Sequence, residues 1–130
     1  MPLNKNLRDL ATEARERGVD EVDAEELPEM LGDEQAPLVI DVREADERSR
    51  GYIPGSVGIP RGILERDIEK KALGGQASDE DLARPIVCYC GGGSRSLLAA
   101  ERLGQMGFTN VASLEGGFKA WAETTGAVEI

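Results

Sequence analysis

Apolar and polar residues follow two different periods along the chain, and the switches between them mark out helices and strands. Leu7, Leu10, Ala11 and Ala14 recur at helical spacing among charged residues, predicting an amphipathic helix over 6–17 that Gly18 stops. Residues 19–22 read as a short strand. Asp23-Ala-Glu-Glu26 has the form of a capping box and opens a second helix through Leu31, closed by Gly32. Residues 37–42, Pro-Leu-Val-Ile-Asp-Val, are a nearly continuous apolar run of strand length, as a sheet covered on both faces requires.

The same alternation continues downstream. Residues 44–50 predict a short helix ended by Gly51, 53–55 a turn and 56–59 a short strand. Ile63, Leu64, Ile68 and Ala72 fit a single helix over 61–73, followed by a loop over 74–78 and a helical turn over 79–83. Residues 85–90, Pro-Ile-Val-Cys-Tyr-Cys, are the second strong strand. It runs through Gly91-Gly-Gly93 into a helix over 94–106, with a strand over 110–114 and a last helix over 117–124. About five strands alternating with helices predict an α/β fold, a three-layer α/β/α domain around a central, mostly parallel sheet.

Length and composition narrow this picture. The 130 residues suffice for one buried core and not for two. Aromatics are 4% of the chain, so the core must rest on aliphatic side chains. No run approaches the roughly 18 apolar residues of a membrane span, and no apolar stretch follows the first lysine as in a secretory leader. The expectation is a cytoplasmic protein without a membrane partner. A net charge of -10 disfavours nucleic acid as a partner, and an anionic substrate would need a local positive site.

The chain has no histidine, and its only cysteines are Cys88 and Cys90. Histidine-based catalytic triads are therefore absent, and two thiols alone make neither a structural zinc site nor a disulfide framework. No metal or cofactor is expected. At i and i+2 on a strand the two thiols share a face with parallel Cβ vectors, which disfavours a bridge between them and makes Cys88 a core residue.

The strand-to-helix junction Cys90-Gly-Gly-Gly-Ser-Arg95-Ser96 carries the candidate chemistry. In open α/β sheets ligands bind beyond the carboxyl ends of the strands, against the next helix N-terminus. Gly91, Gly92 and Gly93 let the backbone curl so that successive N–H groups point inward. Arg95 adds a fixed cation, and the helix beginning near Ser94 adds the positive end of its dipole. Such surroundings favour a thiolate at Cys90 without a general base. The spacing of the glycines does not match the dinucleotide-binding fingerprint.

The segment Tyr89-Cys-Gly-Gly-Gly-Ser-Arg-Ser96 resembles the active-site loop of the rhodanese family. Three more motifs resemble that family in order: Asp41-Val-Arg-Glu44, Gly51-Tyr-Ile-Pro-Gly-Ser56 with Ile59-Pro60, and Leu114-Glu-Gly-Gly-Phe-Lys-Ala-Trp121. The motifs run from Asp41 to Trp121 and the resemblance covers residues from about 19 to 122, so the chain divides into an N-terminal helical extension over 1–18 and a rhodanese domain over 19–126. Tyr52 stands where the family motif has a histidine.

The resemblance implies a sulfurtransferase. Cys90 would become a persulfide, the N–H groups from Gly91 through Ser94 to Arg95 would cradle its outer sulfur, and Ser96 would bond near it. Asp41 and Arg43 would be structural supports, and Gly116, Gly117 and Trp121 turn and packing residues. Arg61, following Ile59-Pro60, is a candidate anion contact. A small-molecule donor such as thiosulfate and a thiophilic acceptor, cyanide or a cellular thiol, are the expected partners, with a protein acceptor as a further one. Phosphatases and arsenate reductases of the superfamily place five residues between Cys and Arg; here four intervene, which favours sulfur. A module that relays sulfur or only binds a partner is the remaining alternative. No cation lies between Cys90 and Arg95, so polysulfides, glutathione persulfide and 3-mercaptopyruvate stay open as donors.

Overall fold

The computed structural model describes residues 3–130, so the first two residues of the N-terminal extension lie outside the description. Five strands form the sheet: β1 (Asp20–Val22), β2 (Leu38–Asp41), β3 (Val57–Gly58), β4 (Ile86–Tyr89) and β5 (Val111–Leu114), in the order β1-β5-β4-β2-β3. Every paired strand is parallel to its neighbour. The two central strands, β2 and β4, are buried along their whole length, which is why both read as apolar runs.

Alternation along β4 sorts its side chains between the two faces. Ile86, Cys88 and Cys90 join Ile40, Val42, Leu64, Ile68 and Leu103 on one side. Val87 and Tyr89 join Val39, Leu27, Leu114 and Trp121 on the other. The first side is covered by α4 (Leu64–Ile68), α6 (Ser94–Met106) and Leu82 of the short α5 (Asp79–Ala83), the second by α2 (Leu27–Leu31) and α7 (Gly117–Thr124). Helix α1 (Leu7–Glu16) packs Ala11 and Ala14 against Leu97 of α6. Its N-cap Asn6 and Asp9 exchange side-chain-to-backbone bonds at 2.9 Å, a complete capping box. Among the described residues no helix is long and apolar enough to cross a membrane.

Three predicted elements differ in detail. Asp23 does accept bonds from the N–H groups of Glu25 and Glu26, but these close a turn, and the regular helix starts only at Leu27. The helix predicted over 44–50 is one turn, α3 (Ala45–Arg48), with the Glu44 N–H bonded to the Glu47 carboxylate. The single helix predicted over 61–73 is built from a 3-10 turn (Arg61–Ile63), α4 and a π turn (Glu69–Leu73). Gly62 lies in its first turn, and the left-handed Gly74 closes its end, with the Gly75 N–H bonded to the Glu69 carbonyl.

Candidate active site

Cys90 follows β4 directly and is 1% exposed. Its Sγ accepts a bond from the Gly93 N–H at 3.1 Å and one from the Ser96 N–H, in the first turn of α6, at 3.4 Å. The Ser96 hydroxyl lies 3.3 Å from the same sulfur and 2.7 Å from the buried Ser113 hydroxyl on β5. All the donors on the sulfur come from the loop and the helix that follows it, the arrangement that stabilises an anion at a helix N-terminus. Gly93 is the one loop glycine whose left-handed backbone (φ +102) requires its residue type.

The loop is held from behind by α7. The N–H groups of Phe118 and Lys119, in the first turn of that helix, bond the carbonyls of Cys90 at 2.7 Å and Gly91 at 3.1 Å. Turning these two carbonyls away from the sulfur keeps negative dipoles out of its surroundings. The approach needs a residue without a side chain: a Cβ at Gly117 would lie 2.5 Å from the Cys90 carbonyl oxygen, and its φ is +59. A Cβ at Gly93 would likewise lie 3.0 Å from the Gly116 nitrogen. Gly116-Gly117 is thus the seat of the sulfur-bearing loop as well as a helix start.

Arg95 leaves the loop and meets Glu47 of α3 in a two-pronged ion pair at 2.8 and 2.9 Å. The guanidinium holds the Glu47 carboxyl down at about 2. In turn the Glu47 hydrogen bonds and charge, followed by the nearness of Cys90, hold Arg95 above its ordinary range. A Cβ on Gly91 would be 3.3 Å from an Arg95 nitrogen, so the ion pair lies over the start of the loop. Gly92 is the exposed residue of the loop, Gly91, Ser94 and Arg95 are half-buried, and Gly93 and Ser96 are buried.

Asp41, at the end of β2, is a fully buried carboxylate with its charge fully engaged. It accepts from the backbone and side chain of Arg43, from Arg48 at 3.1 Å and from the Tyr89 hydroxyl at 3.0 Å. Arg43 also bonds the Gly51 carbonyl and lies 4.4 Å over the Phe118 ring. The Tyr89 hydroxyl further accepts from the Ile53 N–H and meets Ser56 at 3.0 Å. This network joins the ends of β2 and β4 to the turn before β3. Tyr52 lies outside the site, stacked at 4.1 Å on the Arg48 guanidinium and paired through its backbone with Glu129.

Cys88 is fully buried, and burial pushes its thiol up to about 12, so it has neither access nor thiolate character. Arg61 lies apart from the sulfur loop but in the same cleft as Arg95. The cleft has a volume of about 480 Å³, and Arg102 of α6 lines it too. Sequence reasoning missed Glu47, Arg48, Tyr89, Ser113 and Arg102. Only the Glu44–Glu47 spacing left a local trace, as a helix start, and nothing in it pointed to Arg95.

A parallel five-strand sheet ending in a cysteine-led loop seated on a Gly-Gly helix start defines a rhodanese-type domain. The chain belongs to the rhodanese-like domain family, whose sequence model matches residues 23–124. It is 33% identical over 104 residues to a sulfurtransferase from Allochromatium vinosum, covering 80% of this chain and 89% of that one. It is 36% identical over 85 residues to the thiosulfate sulfurtransferase GlpE of Shewanella oneidensis, covering 65% and 75%. A solved structure from Rhodopseudomonas palustris, of unknown function and described as a possible tyrosine phosphatase, superposes with a TM-score of 0.79. It is 29% identical and covers 99% of this chain and 98% of that one. The family model begins at Asp23, so α1 and β1 lie outside its span.

Proposed function

We propose that the chain is a sulfurtransferase that moves sulfane sulfur through a persulfide on Cys90. The observation that carries this is the donor set converging on Sγ: two backbone N–H groups, with the Ser96 hydroxyl in reach. In the first step the Cys90 thiolate attacks the outer sulfur of a donor such as thiosulfate. The donor's S–S bond breaks with its electron pair leaving on sulfite, and a new S–S bond joins the outer sulfur to Cys90. In the second step a thiophilic acceptor attacks that outer sulfur, and the electron pair returns to the Cys90 thiolate. No net oxidation occurs on the enzyme, and the N–H groups of Gly93 and Ser96, in place of an imidazole, face the charge carried by the attacking sulfur.

The names of the Allochromatium and Shewanella relatives support sulfur transfer, and so does the loop itself. The description of the Rhodopseudomonas protein favours phosphate chemistry instead. Four residues between Cys90 and Arg95, three of them glycine, make a short loop, and the Arg95 fork is already taken by Glu47. Both features suit one sulfur atom better than a tetrahedral oxyanion.

Incubation with thiosulfate and intact-mass measurement tests the reading. The chain should gain one sulfur atom and lose it to cyanide with release of thiocyanate. Cys90→Ser should abolish the gain and Cys88→Ala should keep it. A gain that survives in Cys90→Ser, or Cys90-dependent hydrolysis of an aryl phosphate in place of the gain, overturns it.

A further inference from the structure

Cations are concentrated beside the sulfur loop of a chain whose net charge is -10. Arg61, Arg95 and Arg102 line one cleft of about 480 Å³, together with the two carboxylates Glu44 and Glu65. Their engagements differ. Arg95 is committed to Glu47. Arg102 is bonded to Gln105 and stands 3.6 Å from Glu65, both carboxylate and guanidinium being about half exposed. Arg61 makes no side-chain hydrogen bond or ion pair among the described residues, and its backbone is fixed at the end of β2 by a bond to the Val42 carbonyl. An arginine with its five donors unclaimed, on the wall of a cleft, is suited to gripping a carboxylate with two parallel bonds.

The size of the cleft limits its occupant. A space of this volume lies in the range that holds small organic ligands, and is several times what a five-atom inorganic ion fills. Val42, Leu64 and Ala99 add an apolar lining, which an inorganic anion would not use and a carbon chain would. None of the residues from Cys90 to Ser94 lines the cleft; Arg95 is the residue shared with the loop. A partner with its sulfur at the loop and its body in the cleft would therefore pass across Arg95.

We propose that this cleft selects the organic partner of the reaction, a low-molecular-weight thiol carrying a carboxylate, with Arg61 as the residue that recognises the carboxylate and Arg102 in support. The proposal rests on the sulfur-transfer reading and names the acceptor class it left open. The acceptor's thiolate attacks the outer sulfur of the Cys90 persulfide. The bond from that sulfur to Cys90 breaks, its electron pair stays on Cys90, and the acceptor leaves as a persulfide. Arg61 takes no part in these bonds; it sets which thiol is held close enough to react.

The test compares 3-mercaptopropionate with 2-mercaptoethanol as acceptors for the wild type, Arg61→Gln and Arg102→Gln. Intrinsic thiol reactivity cancels when the ratio of the two kcat/KM values is compared between variants. Arg61→Gln should lower the carboxylate preference about tenfold, the scale of one lost charge-assisted pair, and Arg102→Gln by less. A ratio unchanged in Arg61→Gln overturns the proposal. A second arm needs no chemistry: titration with the S-methyl derivatives of both thiols, followed by amide NMR shifts. Saturable shifts at Gly62 and Ala99 with the carboxylate compound, lost in Arg61→Gln, support the cleft even if Cys90 takes up no sulfur. Equal weak shifts with both compounds overturn it even if Cys90 does.

Discussion

At the scale of single residues, the sulfur depends on a hydroxyl that does not touch it. An ionised Cys90 can only accept, so the Ser96 hydroxyl at 3.3 Å must give its proton to Sγ. The Ser96 oxygen is then free to accept from Ser113 at 2.7 Å, and Ser113 has no other side-chain partner among the described residues. Ser113 is thus a positioning residue that keeps the Ser96 proton aimed at the sulfur. Ser113→Ala should slow alkylation of Cys90 by iodoacetamide at neutral pH about fivefold, the worth of roughly one hydrogen bond. An unchanged alkylation rate with a lowered melting temperature would reduce Ser113 to a packing residue. Cys90, Arg95 and Ser96 were legible because they sit in one heptapeptide whose glycines announce a curled backbone. Ser113, Glu47 and Tyr89 were not, because each acts across a fold-dependent contact 17 to 48 residues long.

At the scale of elements, strand alternation was the most legible feature. Period-two placement put Cys88 beside Cys90 in one cluster and Tyr89 in the other, as the strand reading requires. The stretch over 61–73 shows the limit of such reading. Ile63, Leu64, Ile68 and Ala72 define one apolar face, and that face survives although the hydrogen bonding changes from 3-10 to α to π beneath it. The α7 N-terminus matters more to function, because it fixes the carbonyls of Cys90 and Gly91. Gly117→Ala would force a Cβ against the Cys90 carbonyl at a backbone angle that alanine resists. It should cost at least about 2 kcal/mol by urea denaturation and remove most sulfur uptake. Gly92→Ala, exposed and with open space around its Cβ position, should leave the denaturation midpoint within about 0.5 kcal/mol of wild type. Equal losses in the two variants would refute this division of the loop.

At the scale of the whole molecule, the site is where the two halves of the chain are tied together. Asp41 gathers β2, α3, the turn before β3 and the Tyr89 end of β4, and the Glu47–Arg95 pair joins α3 to α6. The second tie is sensitive to acid in a defined direction. Glu47 is lowered from 4.5 to about 2 in the folded chain, so its contribution is complete above 4.5 and disappears as pH falls through 2. Glu47→Gln keeps the shape and removes the charge, so it mimics the protonated wild type. The urea midpoint of Glu47→Gln should therefore lie below that of wild type at pH 7, and the gap should narrow between pH 4.5 and pH 2. The same substitution frees the Arg95 fork next to the sulfur, and even small displacement of a positioned group is costly in rate, so thiosulfate turnover at pH 7 should fall about tenfold or more. A stability gap that stayed constant down to pH 2 would show that Glu47 acts by packing alone. The half-to-half tie would then rest on the Asp41 network, whose carboxylate is buried beyond the reach of solvent.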